Sequence, residues 1–112
     1  MEISVSETAG VNVVALSGEI DLQTSPKLRG ELLGLIANKK PLVVEMSDVS
    51  YMDSSGVASL VEAFQTARSK NLGFSLAAIG EAPLRVLKLA RLDGVFVIHD
   101  TLENAISANG EN

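Results

Sequence analysis

The stretch that decides the fold is residues 42–64, "LVVEMSDVSYMDSSGVASLVEAF". Its first part, "LVVEM" (42–46), is a short, nearly continuous apolar run typical of a strand covered on both faces. After residues 47–56 ("SDVSYMDSSG"), apolar side chains recur at i, i+3, i+4 and i+7, which predicts an amphipathic helix. The apolar positions of that helix are Val57, Leu60, Val61 and Phe64. This order indicates a central β-strand followed by a helix.

The residues before this stretch predict a hairpin and a first helix. Segments 2–7 ("EISVSE") and 11–17 ("VNVVALS") are rich in β-branched residues and are separated by "TAG", a turn signal. Ser25 followed by Pro26 is typical of an N-cap with proline at the first helical position. We therefore expect a helix that begins there and ends near "NKKP".

The residues after the stretch continue the alternation of strands and helices. Residues 72–80 predict a strand, Pro83 opens a third helix with its stop at "DG" (93–94), and "VFVI" (95–98) predicts a last strand. Thr101 caps a short final helix, and a polar tail follows from about residue 108. Such alternation predicts an α/β fold with a mainly parallel sheet and right-handed crossovers, preceded here by an antiparallel hairpin.

Composition limits the classes of protein to be considered. The chain has 112 residues, a length that predicts a single domain, and is 46% hydrophobic but only 4% aromatic, so aliphatic side chains must fill its core. The absence of cysteine excludes disulfides, thiolate zinc sites and thiol nucleophiles. The formal charge of -5 disfavours non-specific attraction to nucleic acid or an anionic membrane.

The first residues lack a secretory pattern, and no apolar run approaches the roughly 20 residues needed to span a bilayer. We expect a cytoplasmic protein without membrane insertion or direct contact with nucleic acid.

The turn "DSSG" (Asp53, Ser54, Ser55 and Gly56) has three possible interpretations. Asp and Ser lead the ranking of helix-capping residues, so a purely structural cap is the simplest. A nucleophilic serine requires a tight G-x-S-x-G turn and a base, but the flanking pattern is absent and His99 is the only histidine. His99 most simply ends a strand. We therefore expect no catalytic residue, metal site or cofactor.

The third interpretation is a serine that another protein modifies. Unpaired amides at a helix start lie in positive potential and can accommodate a phosphate. Phosphorylation would add about 1.5 to 2 negative charges near Asp53, and a partner docked there would lose contact. Asp21 in "GEID" (18–21) follows the hairpin and is expected at the same rim, where it caps a turn or contributes to the site.

A basic pattern occurs on the third helix of this acidic protein. Arg85, Lys88 and Arg91 follow one another at i, i+3 and i+6. Such a stripe is either a solvated helix face or a docking surface for an acidic partner.

Three stretches together resemble the anti-sigma-factor antagonists of the STAS domain class. They are "VVALSGEIDLQTSPKLRGEL" (13–32), "LVVEMSDVSYMDSSGVASL" (42–60) and "LARLDGVFVIHDTLENA" (89–105). The resemblance covers essentially the whole chain, and the pairing of G-E-I-D with D-V-S-Y-M-D-S-S-G is its most specific part. It implies a small mixed sheet with about four helices packed mainly on one face.

The resemblance also implies a function. Ser54 matches the serine phosphorylated by a partner anti-sigma kinase of the histidine-kinase-like ATPase type, and Asp21 and Asp53 match acidic positions near it. Ser55 and Gly56 complete the turn. The unphosphorylated antagonist binds the kinase and frees the sigma factor, phosphorylation breaks that complex, and a PP2C-type phosphatase restores it. An alternative within the class is a STAS subunit of a lipid-trafficking ABC transporter, which acts as a constitutive interaction module.

Overall fold

The protein forms five strands and four helices in the computed structural model, which describes residues 1–109. The strands are β1 (Glu2–Thr8), β2 (Val11–Ile20), β3 (Leu42–Met52), β4 (Phe74–Ala77) and β5 (Val97–His99). The helices are α1 (Ser25–Ile36), α2 (Ser54–Ser69), α3 (Glu81–Leu89) and α4 (Leu102–Asn109). Among these residues, no helix is both long and apolar enough to cross a membrane.

The strands form one sheet in the order β1-β2-β3-β4-β5. β1 pairs with β2 antiparallel, and the remaining neighbours pair in parallel. This arrangement confirms the predicted mixed sheet, its N-terminal hairpin and the central position of β3.

Three helices pack on one face of the sheet, and α4 covers part of the other face. The larger core joins α1, α2 and α3 to one side of the strands, because successive crossovers of the same hand return along the same face. Val43 lies between Leu42 and Val44 and so points to the opposite side, where it forms a second, smaller core with Val11, Ala77 and Ala105 of α4. The expectation of helices mainly on one face is confirmed.

The central strand is longer than the sequence predicts. β3 continues beyond residue 46 to Met52, and its buried side chains recur every third residue, at Met46, Val49 and Met52. Two shifts in the pairing register with β2 explain this spacing. Between Glu45 and Asp48, and again between Val49 and Tyr51, β3 contains one residue more than the paired segment of β2. Each extra residue is a bulge that returns the next side chain to the core.

The C-terminal part of β3 extends beyond the end of its neighbour β4. β4 pairs with β3 only from Leu42 to Glu45, so within residues 1–109 the segment 46–52 of β3 has a strand partner only in β2. The turn that follows Met52 therefore lies at the end of a two-stranded extension of the sheet.

Several predicted boundaries shift. β2 runs through Ile20 instead of ending at residue 17, β4 is confined to Phe74–Ala77, and β5 begins at Val97 rather than residue 95. The third helix ends at Leu89, before "DG", because Arg91 adopts a left-handed φ of 59° and the Leu92 N–H donates to the Leu87 carbonyl at 2.8 Å. This closing pattern usually uses glycine.

The helix caps differ from prediction in one case and agree in another. Thr24, not Ser25, is the N-cap position of α1, because the Ser25 N–H already donates to the Asp21 carbonyl at 2.8 Å. Thr101 caps α4 as predicted, since its Oγ1 accepts the Asn104 N–H at 3.1 Å. α4 extends through Asn109, past the expected start of the polar tail at about residue 108, and the rest of that tail (110–112) lies outside the described residues.

Candidate functional site

Asp21 and Asp53 follow the carboxyl ends of two neighbouring parallel strands. Ile20 of β2 is the register partner of Met52 of β3, and the Asp53 N–H donates to the Ile20 carbonyl at 3.1 Å. The two aspartates therefore lie at the same edge of the sheet, as the sequence predicts.

Asp53 is the cap of α2. Its Oδ1 accepts the Ser55 N–H at 2.9 Å and the Ser55 hydroxyl at 2.5 Å. The Ser55 hydroxyl first, and then the backbone N–H groups of Ser55 and Gly56, hold the pKa of Asp53 below its ordinary value. The sequence offered Asp53 and the two serines as caps of this helix. In the structure the Asp53 carboxylate is the cap, and charge-assisted bonds of this kind are stronger than those of a neutral hydroxyl.

Ser54 is the first residue of α2, and it is exposed. Its hydroxyl has no hydrogen-bond partner within residues 1–109, whereas the Ser55 hydroxyl donates to Asp53. The Ser59 hydroxyl is buried and donates to the carbonyls of Ser55 and Ser25 at 3.1 and 3.3 Å. Of the three serines in the first two turns, Ser54 is the exposed one, and its hydroxyl is the one without a hydrogen bond in the described part of the chain.

Gly56 allows the helix to start close to the strand ends. A Cβ at this position would lie 2.7 Å from Ile20 Cγ2 and 2.7 Å from Met52 Cγ. Since real Cβ atoms do not approach other atoms so closely, any larger residue requires the Ile20 and Met52 side chains or α2 to shift.

Asp21 organises its own turn rather than the turn at Ser54. Its Oδ1 accepts the N–H groups of Gln23 at 2.9 Å and Thr24 at 3.1 Å, and the Thr24 hydroxyl at 3.2 Å. In return, the Asp21 N–H donates to Thr24 Oγ1 at 2.9 Å. These bonds fix the short connection between β2 and α1. In the described residues, the Asp21 carboxylate makes no hydrogen bond to Ser54 or Asp53.

The basic stripe on the third helix is interrupted. Arg85 forms an exposed ion pair with Glu81 at 3.3 Å, and Arg91 lies beyond the end of α3. Arg85 and Lys88 border a groove of about 160 Å³ together with Leu84 and Glu81, so its lining is mixed in charge.

His99 ends β5, as predicted. Residues 1–109 contain no group of three or more metal-ligating side chains that could hold an ion.

Leu22 is a surface residue that the sequence patterns did not single out. This leucine directly follows Asp21, and 77% of it is exposed. The available signal was an apolar residue within an otherwise polar turn segment, but a pattern of residues does not reveal whether such a side chain is exposed or folded inward.

The fold and the site together define a class: a small α/β domain with an exposed serine at an aspartate-capped helix start. A family model described as "STAS domain" matches residues 2–105. The chain belongs to the STAS domain family.

Two relatives are named as anti-sigma factor antagonists. The chain is 29% identical over 106 residues to the anti-sigma-F factor antagonist RsfB of Mycobacterium tuberculosis, covering 94% of this chain and 86% of that protein. A crystal structure of an anti-sigma factor antagonist from Mycobacterium paratuberculosis superposes with a TM-score of 0.88 at 33% identity, over 96% and 92% of the two chains.

A third relative shares the fold at lower identity. The Bacillus cell fate determinant SpoIIAA in its phosphorylated form matches with a TM-score of 0.75 at 21% identity, over 96% of this chain and 98% of that one.

Proposed function

We propose that this protein is a non-enzymatic anti-sigma-factor antagonist that is switched by phosphorylation of Ser54. The observation that carries the proposal is the state of Ser54: an exposed hydroxyl at a helix start, without an internal partner, beside two serines whose hydroxyls are engaged. The names of the relatives support the choice of an anti-sigma factor as partner.

The partner in this proposal is a serine kinase of the histidine-kinase-like ATPase type that also acts as the anti-sigma factor. Ser54 Oγ attacks the γ-phosphorus of ATP, the bond from that phosphorus to the β-phosphate oxygen breaks, and ADP leaves. The serine proton passes to a base of the kinase. The antagonist therefore contributes an accessible nucleophile on a rigid helix start, and the partner contributes the catalytic groups.

The other site residues hold Ser54 in place and shape the docking surface. Asp53 and Ser55 close the cap, Gly56 seats α2 on the strand ends, and Asp21 fixes the neighbouring turn. The unphosphorylated protein binds the kinase through this surface and releases the sigma factor.

Phosphorylation ends binding for electrostatic reasons. A phosphoserine carries about 1.5 to 2 negative charges, and here it would lie beside Asp53, whose lowered pKa keeps it ionised near neutral pH. Docked against the kinase, the phosphate would lose its water and face the phosphates of the bound nucleotide. In our proposal a PP2C-type phosphatase hydrolyses the Oγ–phosphorus bond, which restores the hydroxyl. We place this cycle in the cytoplasm.

The test uses the protein, its serine-kinase-like ATPase and ATP, with mass spectrometry to locate phosphate and calorimetry to follow binding. We expect phosphate on Ser54 and loss of kinase binding, whereas Ser54→Ala binds the kinase and stays bound in ATP. Ser50→Ala removes an exposed serine from nearby β3 and serves as the control that is still phosphorylated. Normal phosphorylation of Ser54→Ala would refute the assignment. Tight binding to a transporter ATPase without modification would favour the ABC-transporter subunit.

A further inference from the structure

Leu22 is held outward beside the proposed phosphorylation site. Its side chain is 77% exposed, although an exposed leucine alone carries little information. What distinguishes Leu22 is its position. Ile20 and Met52 are register partners at the ends of β2 and β3; Leu22 follows Ile20 by two residues, and Ser54 follows Met52 by two residues.

The turn that carries Leu22 is fixed by hydrogen bonds on both sides of it. The Asp21 carboxylate accepts the backbone N–H groups of Gln23 and Thr24, and Thr24 Oγ1 accepts the Asp21 N–H. Ser59 of α2 donates to the Ser25 carbonyl, which joins the end of this turn to the helix that begins at Ser54. Because the backbone is already ordered, Leu22 can enter a partner's pocket with little further loss of entropy.

The surface around Leu22 and Ser54 is acidic. Glu19, Asp21 and Asp53 lie at or directly beside the ends of β2 and β3, and none of them forms an ion pair within residues 1–109. The Arg29–Glu62 ion pair joins α1 to α2 beyond their first turns, and the other two described ion pairs lie elsewhere. An apolar side chain within an acidic border is complementary to an apolar pocket bordered by Lys or Arg.

We propose that Leu22 is the apolar anchor by which the anti-sigma kinase recognises this protein, inserted into an apolar pocket bordered by basic side chains. The inference rests on the proposed function and adds a recognition residue to it. It assigns Asp21 the role of a positioning residue that orients Leu22, rather than a group that contacts the phosphate.

The matched comparison is between Leu22→Ala and Leu89→Ala. Leu89 is 80% exposed, but it lies at the C-terminal end of α3, which runs back from the edge where Ser54 lies. We expect Leu22→Ala to weaken kinase binding by about tenfold to a hundredfold, as truncation of a buried anchor does, while Leu89→Ala leaves the Kd unchanged. Circular dichroism and urea unfolding confirm that both variants are folded.

The outcomes separate the inference from the proposed function. If the wild-type protein fails to bind the kinase, the proposed function fails. If wild type binds and Leu22→Ala binds equally well, or if Leu89→Ala is equally damaging, the anchor role of Leu22 is overturned. Asp21→Ala provides a second test. We expect this variant to bind the kinase more weakly, while a saturating concentration of kinase still phosphorylates Ser54 completely.

Discussion

At the scale of single residues, Gly56 lies against the side chains of Ile20 and Met52, the last residues of β2 and β3. We expect Gly56→Ala to lower the free energy of unfolding by about 1–3 kcal/mol, because the added methyl group would collide with Ile20 and Met52. Urea unfolding followed by circular dichroism measures this change.

Gly34→Ala is the control for that experiment. Gly34 lies in α1, and apart from its chain neighbours and the backbone of its own helix no atom lies within 4 Å of the position that an added methyl group would occupy. Alanine there should therefore raise stability by about 0.5–1 kcal/mol through helix propensity. Equal stabilities for wild type and Gly56→Ala would contradict the packing argument.

At the scale of elements, the start of α2 depends on the bond between the Asp53 carboxylate and the Ser55 hydroxyl. This bond is the largest cause of the lowered pKa of Asp53, so Ser55→Ala should raise that pKa toward its ordinary value. An NMR titration of the Asp53 carboxyl carbon measures this pKa. In the control Ser50→Ala the pKa of Asp53 should stay as low as in wild type. An unchanged pKa in Ser55→Ala would exclude the hydroxyl as the cause.

The same bond predicts a pH dependence of stability. Because folding lowers the pKa of Asp53, the ionised carboxylate stabilises the folded protein above the unfolded pKa of about 3.9, and this contribution is lost as the pH falls through the folded value. The stability difference between wild type and Ser55→Ala should therefore be larger at pH 7 than in strong acid. A difference that is independent of pH would mean that the hydroxyl acts by some other contact.

Strand β3 shows why one element was only partly predictable. A period of two identifies a half-buried strand and a period near 3.6 a helix, but Met46, Val49 and Met52 are buried at a period of three. That period arises from bulges, which depend on pairing with β2. Local pattern alone therefore ends the predicted strand at residue 46 and leaves the segment 47–52 outside it.

At the scale of the whole molecule, the proposed switch acts at the surface without refolding. Ser54 is exposed and its hydroxyl makes no internal bond within residues 1–109, so a phosphate there breaks no described contact. We expect phosphorylation to shift backbone amide NMR signals around Asp21, Asp53 and the first turn of α2. Signals of α4 and of the β1–β2 turn should stay in place. Widespread shifts would instead indicate a conformational switch.

The sequence by itself determined the order of the elements, the mixed sheet and the turn at Asp53 and Ser54. The elements and the turn depend on interactions between residues close in the chain: apolar periodicity selects strands and helices, and a capping aspartate acts on amides within three residues of it. The mixed sheet follows from the order of these elements, because alternating strands and helices form right-handed parallel crossovers. The family followed from the same local motifs and is confirmed by the match over residues 2–105.

Only the tertiary structure decided how the site is assembled. The pairing of Ile20 with Met52 places Asp21 beside Asp53, and it also determines the close approach that requires glycine at position 56. The outward position of Leu22 likewise depends on how its turn meets α2. Such features require contacts between residues distant in the chain, whose geometry is set by strand register and packing rather than by local pattern.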